Sequence, residues 1–473
     1  MDDTALAAQI HRVWRDEVLP TLHEYIAIPN VSPAYDAGWA TAGHMDAAVK
    51  LVRGWCEQRA IAGLSVWVHE LPRRTPVVVC EIPAYGGGPA DDSVLLYGHL
   101  DKQPPMDGWH DGLGPWTPVV RDDRLYGRGG ADDGYAAFAA LTAVEAVQAA
   151  GGRHARCVVL VEASEESGSP DLPAHVEALA GTIATPSLVV CLDSGCATFD
   201  RLWATTSLRG LAAINLTVEV LREGVHSGNA GGVVPSSLRI VRALLDRIED
   251  AATGDLLVAE LHTAMPPDRE AELEATASEL GAATAGSFPL VEGMAPLHDG
   301  DPAAQLRARQ WEPAVAYVGI DGAPPTTDAG NVLRPSTTVA LSLRLPPSVD
   351  AVAASAAVER VLTADPPYGA RVRVAITGSA DGWNAPAFAP WLAEAMERGS
   401  HAGFGKSART IGEGGSIPFM GMLGARFPDA QFLVTGVLGP GSNAHGPNEF
   451  LDIPCAIGVT TAVAHVLDSH VRR

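Results

Sequence analysis

The stretch Ser93-Val-Leu-Leu-Tyr-Gly-His-Leu-Asp101 decides the fold. Its first five residues form an unbroken run without polar alternation, the pattern of a strand buried on both faces in a parallel sheet. The run ends in a glycine, a histidine and an aspartate. Two further stretches repeat the pattern: Cys157-Val-Val-Leu-Val-Glu-Ala-Ser-Glu-Glu166 and Ser187-Leu-Val-Val-Cys-Leu-Asp193. Open α/β sheets bind their ligands beyond the carboxyl ends of such strands. His99, Asp101, Glu165, Glu166 and Asp193 are therefore expected to converge on one edge of a mostly parallel sheet.

Outward from these strands, residues up to about 207 alternate helical and strand patterns, as in an α/β layer architecture. The period then changes. Ile214, Leu216, Val218 and Val220 alternate with polar residues, as do Val339, Leu341, Leu343 and Leu345. Period two means strands with one wet face, hence an antiparallel sheet covered on one side. Helical spacing over 236–250 and 268–280 supplies the cover. After the strand pattern at 371–376 and a loop at 379–386, Gln431-Phe-Leu-Val-Thr435 returns to the buried style. The expected organisation is a first catalytic part at 1–207, an inserted α+β domain at 208–380, and a second catalytic part at 381–473.

Composition narrows the function. The 473 residues are 47% hydrophobic, enough for two or three sizeable cores. A formal charge of -23 argues against a nucleic-acid or anionic-membrane partner, because a polyanion is repelled by the whole surface. The six cysteines show no CxxC pair and several lie in apolar runs, which suits buried thiols in a reducing compartment. The first residues lack the pattern of a secretory signal, and no apolar run reaches a membrane span of about 18 residues. A cytoplasmic location is expected.

The polar residues at the strand ends suggest metal chemistry. Alternate residues of an extended segment share a face, so His99 can bind a metal while Asp101 supports it or a neighbouring base. Leu125-Tyr-Gly-Arg-Gly-Gly-Ala-Asp-Asp133 is a glycine-rich turn before an apolar helix at 136–147. One aspartate there suits a helix N-cap, and the other can bridge two ions with its two oxygens. Glu165 and Glu166 stand side by side, an arrangement that repulsion disfavours without a cation or a proton. With a metal present, one ligates and the other moves the proton of the attacking water. Asp193 and His445, the latter in Gly439-Pro-Gly-Ser-Asn-Ala-His-Gly-Pro447, complete five ligands for a pair of sites.

With these motifs in order, together with Ser207-Leu-Arg-Gly210, Val225-His-Ser-Gly228, Ser342-Leu-Arg-Leu345 and Glu413-Gly-Gly-Ser-Ile-Pro418, the chain resembles a known family. It is the cocatalytic two-metal peptidases and amidohydrolases that include carnosinase-type dipeptidases, aminoacylase and carboxypeptidase G, and the resemblance is closest to the cytosolic dipeptidase branch. The resemblance implies two divalent ions, zinc by preference with manganese or cobalt compatible. His99, Asp132 and Asp193 would hold one ion, and Asp132, Glu166 and His445 the other. It also implies Glu165 as general base and a cis peptide at Asp132-Asp133; Asp101, on the face it shares with His99, is counted with the catalytic residues.

The inserted domain becomes a lid and dimerisation domain in this reading. His226 would reach across a homodimer interface to polarise the substrate carbonyl, and Arg344 with Ser416 would clamp a free carboxylate. Asn331, where close relatives carry threonine, would also touch substrate, and Gly134-Tyr135 replaces their lysine and glycine. The expected activity is cleavage of a dipeptide by metal-activated water. Hydrolysis of N-acyl amino acids or N-succinyl amines on the same scaffold is the alternative, and an inactive binding protein is the distant one.

Overall fold

The computed structural model describes residues 1–286 and 288–473. The chain divides into two compact units: Met1–Thr206 with Ala385–Ile411 and Met422–Arg473, and Ser207–Asn384 with Gly412–Gly421.

The first unit is built on a six-stranded sheet. In chain order its strands are β1 (Ser65–His69), β2 (Val77–Ile82), β3 (Ser93–His99), β4 (Arg156–Glu162), β5 (Leu188–Cys191) and β6 (Gln431–Val434). They lie in the spatial order β1-β2-β4-β3-β5-β6. The pairs β3/β4, β3/β5 and β5/β6 are parallel, while β1/β2 and β2/β4 are antiparallel. The sheet is thus mixed, with its parallel part where the three apolar runs predicted it. Every residue of β3 is buried, which is why its sequence shows no alternation.

Helices close the sheet. Ala136–Ala149 is an alanine-rich helix buried along almost its whole length. Pro390–Phe404 and Ile453–His470 pack on each other at glycines: a Cβ on Gly399 would lie 2.7 Å from the Ala462 Cα, and one on Gly403 would lie 2.6 Å from the Gly458 carbonyl oxygen. No helix among the described residues is long and apolar enough to cross a membrane. All six cysteines are buried.

The second unit holds a four-stranded antiparallel sheet, in the order Ala314–Asp321, Ser336–Leu345, Gly210–Glu219, Arg371–Ala380. Strict alternation of buried and half-buried residues in the two central strands matches the period-two pattern. Ile214, Leu216, Leu341 and Leu343 meet Ile240, Leu244, Val358 and Leu362 from the helices Ser237–Leu245 and Ala351–Thr363 in one core.

Two expected boundaries move. The loop expected at 379–386 is partly strand: Arg371–Ala380 runs on to pair Ala380 with Leu211, and Trp383–Asn384 pairs with Leu208 and Ser207. Close approach permits this, because a Cβ on Gly210 would lie 2.9 Å from both the Ala380 carbonyl and the Gly382 nitrogen. The helix expected over 236–250 ends at Leu245, and the chain turns as Ile248 N–H donates to the Leu245 carbonyl.

The second unit also takes in Gly412–Gly421, which the sequence reading leaves with the final catalytic part. Arg209 explains the grouping: its amide donates to the Gly415 carbonyl and its Nε to the Gly414 carbonyl.

Candidate metal centre

Sheet register sets the centre. In the β3/β5 pairing Tyr97 is level with Cys191, so two residues further on His99, the last residue of β3, comes level with Asp193 just past the end of β5. In the β3/β4 pairing His99 stands opposite Glu162, and the chain then turns through Glu165–Ser167. Asp132 arrives from the turn at Gly130–Gly134, and the peptide between Asp132 and Asp133 is cis. Gly98 makes room for this turn, since a Cβ there would lie 2.8 Å from an Asp133 carboxylate oxygen and 2.5 Å from the Ala136 Cβ. That same oxygen, Oδ2, accepts the His99 amide at 3.2 Å.

Two groups of side chains gather, and each can hold a metal ion: His99, Asp132 and Asp193, and Asp132, Glu166 and His445. Asp132 belongs to both and splits its oxygens between them. Its Oδ1 lies 3.3 Å from His99 Nε2, and its Oδ2 lies 3.1 Å from His445 Nε2. His99 Nε2 is also 3.7 Å from Asp193 Oδ1, and His445 Nε2 is 3.2 Å from Glu166 Oε2. His99, Asp132, Asp193 and Glu166 are buried, whereas the His445 ring is exposed.

Asp101 has no exposed face. Its two carboxylate oxygens accept the backbone amides of Glu165 and Glu166, each at 3.0 Å, and its carbonyl faces His99 Nδ1 at 3.1 Å. These contacts aim the His99 ring and fix the backbone of the paired glutamates. Glu165, half-buried, belongs to neither ligand group.

The electrostatics call for cations. Burial first, then neighbouring carboxylates, pushes Asp193, Glu165 and Glu166 above the usual carboxylate range. Burial works against a charge on His99 and His445, yet the surrounding acids raise both, and the two imidazoles in turn keep Asp132 ionised against its own burial. Two imidazoles are too little positive charge for this many buried acids. Metal cations would supply the deficit, and a donor set of carboxylates and imidazoles without thiolate fits them.

Several supporting residues escaped the sequence reading. Gln103 donates to Glu166 Oε2 at 2.6 Å. Arg128 forms a buried ion pair with Glu449 at 2.6 Å and donates to the carbonyls of His445 and Gly446. Glu449 also accepts the Gly129 amide, so the pair ties the Asp132 turn to the His445 loop. It holds His445 at φ 65, a left-handed conformation rarely taken outside glycine. Arg128 lies in the glycine-rich turn at 125–133, but nothing in the sequence names its partner. Tyr135, one of the departures noted above, is buried with its hydroxyl donating to the Leu192 carbonyl beside Asp193.

The remaining predicted residues lie in the second unit, in two pairs. Arg344 donates to Ser416 Oγ at 2.9 Å, and Ser416 donates to the Arg209 carbonyl at 2.5 Å. His226 pairs with Val332 in a two-stranded ribbon, and the Ser227 amide donates to the Asn331 carbonyl. His226 and Asn331 are exposed. His226 Nδ1 accepts the Gly228 amide at 3.1 Å, which leaves the ring proton on Nε2.

A mixed sheet whose parallel strand ends, with a turn and a loop, bring together two candidate ligand groups around one shared carboxylate defines a metal-dependent hydrolase. The chain belongs to the peptidase family M20/M25/M40, whose model matches residues 95–469. It is similar to the cysteinylglycine-S-conjugate dipeptidase of Corynebacterium striatum, with 29% identity over 394 residues covering 82% of this chain and 83% of the relative. Its fold matches the di-peptidase Dug1p from Saccharomyces cerevisiae with a TM-score of 0.81 and 22% identity over 100% of both chains. Human carnosine dipeptidase 1 matches with a TM-score of 0.80 and 21% identity, over 100% of this chain and 99% of that one. The family expectation from the sequence thus holds, as does the α/β class with an inserted antiparallel-sheet domain, the main sheet being parallel in three of its five pairings.

Proposed function

We propose that this chain hydrolyses the peptide bond of dipeptides, or of similar small substrates, that end in a free carboxylate. The observation that carries the reading is Asp132, whose two oxygens face two different histidines at 3.3 and 3.1 Å. We assign one ion to His99, Asp132 and Asp193 and a second to Asp132, Glu166 and His445, with zinc preferred and manganese or cobalt compatible. When bound, such a pair lowers the pKa of water and stabilises negative charge on a carbonyl oxygen.

The protein's own residues do the rest. Glu165, the acid left outside both ligand groups, accepts a proton from the attacking water and returns it to the leaving amine. Asp101 keeps Glu165 and Glu166 in register by holding both amides. Arg344, set by Ser416, takes the substrate's free carboxylate in its planar fork. His226 offers Nε2–H to the scissile carbonyl and acts from the partner subunit of a homodimer, with Asn331 beside it on the substrate. Dimerisation is supported by the apolar edge strand Ala314–Asp321, on which Val318 is 66% and Ile320 52% exposed. A fully active monomer in sedimentation would defeat that part of the proposal. The buried cysteines support a cytoplasmic location.

The test is amine release from a panel of dipeptides and N-acyl amino acids by metal-loaded protein, with a chelated sample as control. Cleavage of dipeptides that the chelator abolishes is expected. Cleavage of N-acyl amino acids alone would move the protein to the amidohydrolase branch.

A further inference from the structure

The carboxylate clamp sits in an excess of positive charge that one carboxylate does not balance. Three arginines of the second unit surround the turn Gly414-Gly-Ser416. Arg209 is buried and satisfied by backbone: Nε donates to the Gly414 carbonyl at 3.1 Å, and Nη1 to the carbonyls of Ala308 and Glu312, each at 3.2 Å. Those two carbonyls belong to the last turn of the helix Pro302–Gln310 and the chain just after it, so Arg209 also caps that helix.

Arg309 comes from the same helix end. Gly414 lies between Arg309 and Arg209, since a Cβ on it would lie 3.1 Å from the Arg309 Cγ and 3.2 Å from an Arg209 terminal nitrogen. Two residues on, Ser416 holds Arg344. Arg209 feels both of the other guanidiniums: burial first, then Arg344 and Arg309, lowers its pKa to about 10.

The acid facing this cluster is Glu413, on which Arg309 acts but whose carboxyl burial pushes above its usual range. Among the described residues no carboxylate offsets the charge on Arg209 or Arg344, so positive charge is left over in a chain whose formal charge is -23. Arg344 has donors beyond the single bond to Ser416, and the Arg309 Nε is buried without a hydrogen-bond partner. Leaving such a charged donor unpaired is unfavourable, and an anion bound here would offset that cost.

We infer that this arginine cluster selects substrates with two carboxylates at the end it grips, so that a dipeptide ending in aspartate or glutamate is preferred over one ending in glycine or alanine. Arg344 takes the α-carboxylate and Arg309 the carboxylate of the side chain. The inference rests on the clamp role proposed for Arg344, and it goes further by naming the substrate class.

The experiment compares kcat/KM for Ala-Gly, Ala-Ala, Ala-Asp and Ala-Glu, using wild-type, Arg309→Met and Arg309→Lys protein loaded with metal. In the wild type the acidic dipeptides are expected to exceed Ala-Ala by about tenfold, the scale of one charge-assisted hydrogen bond. The ratio should fall towards one in Arg309→Met and recover in part in Arg309→Lys. Should Arg309→Met fail to fold, competitive inhibition of the wild type keeps the test alive, with glutarate expected to bind about tenfold more tightly than propionate for the same reason. Equal or better cleavage of the neutral dipeptides, or an acidic preference untouched by Arg309→Met, overturns the inference while leaving the dipeptidase reading intact. Failure to cleave any of the four overturns both.

Discussion

Asp101 and Arg128 carry much of the centre's order without belonging to either ligand group. One carboxylate fixes the amides of both glutamates, and one guanidinium fixes the loop of His445. The two candidate ligand groups were legible in the sequence because each member follows an apolar run or lies in a glycine-rich turn, where a polar side chain has little reason to sit for packing. The Arg128–Glu449 pair was not, because its members are 321 positions apart and no periodicity links them. Asp101 was visible, but its partners were not: whether its carboxylate meets a ring or a backbone amide depends on the turn that follows β4.

His470 gives a prediction at this scale. Its side chain is fully buried; burial first, then Arg473, lowers its pKa from 6.5 to about 4, against the pull of Asp92. Arg473 approaches His470 Nε2 at 2.6 Å, a contact that the neutral ring accepts and the protonated ring cannot. In the unfolded chain the same imidazole takes a proton near 6.5. Between these values the unfolded state binds more protons, so stability is full above about pH 6.5 and falls as pH drops towards 4, by up to about 3 kcal/mol for this group. Melting temperature should fall from pH 7 to pH 5, and less steeply in His470→Asn. Equal slopes in the two proteins would contradict the assignment.

At the scale of elements, the strands with one kind of environment were the readable ones. β3 and β5 are buried throughout and β4 is buried from Cys157 on, so their cores appear as plain apolar runs, while the two central strands of the second unit alternate without a break. β1 is half-buried at an edge, with neither signature, and the antiparallel β1/β2 edge was missed for that reason. The contact of Pro390–Phe404 with Ile453–His470 was equally silent, since glycines four apart in a helix declare nothing until the facing helix is known. Its consequence is testable: Gly399→Val puts methyl groups where the Ala462 backbone already lies. Overpacking of this kind costs about 1–3 kcal/mol, and chemical denaturation should show a lower midpoint with hydrolysis per folded molecule retained. An unchanged midpoint would mean that the helices can part at no cost.

For the whole molecule, the parallel part of the sheet and the inserted antiparallel domain were legible because the hydrophobic period changes near residue 207. The transfer of Gly412–Gly421 to the second unit was not, since it depends on Arg209 reaching the carbonyl of Gly414 across 205 positions. The acidic surface argued against polyanionic partners, and within it the arginines around Ser416 stand out as a place for an anion. The account of the molecule as a hydrolase turns on a division of labour between adjacent acids, with Glu166 as ligand and Glu165 as proton carrier. The direct test is Glu165→Gln, a near-isosteric change, with bound metal counted by elemental analysis and dipeptide turnover measured on the same sample. Metal content equal to wild type with a rate about 10²–10⁴-fold lower is the predicted result, the range expected for loss of a general base. Full metal content with an unchanged rate would contradict the account.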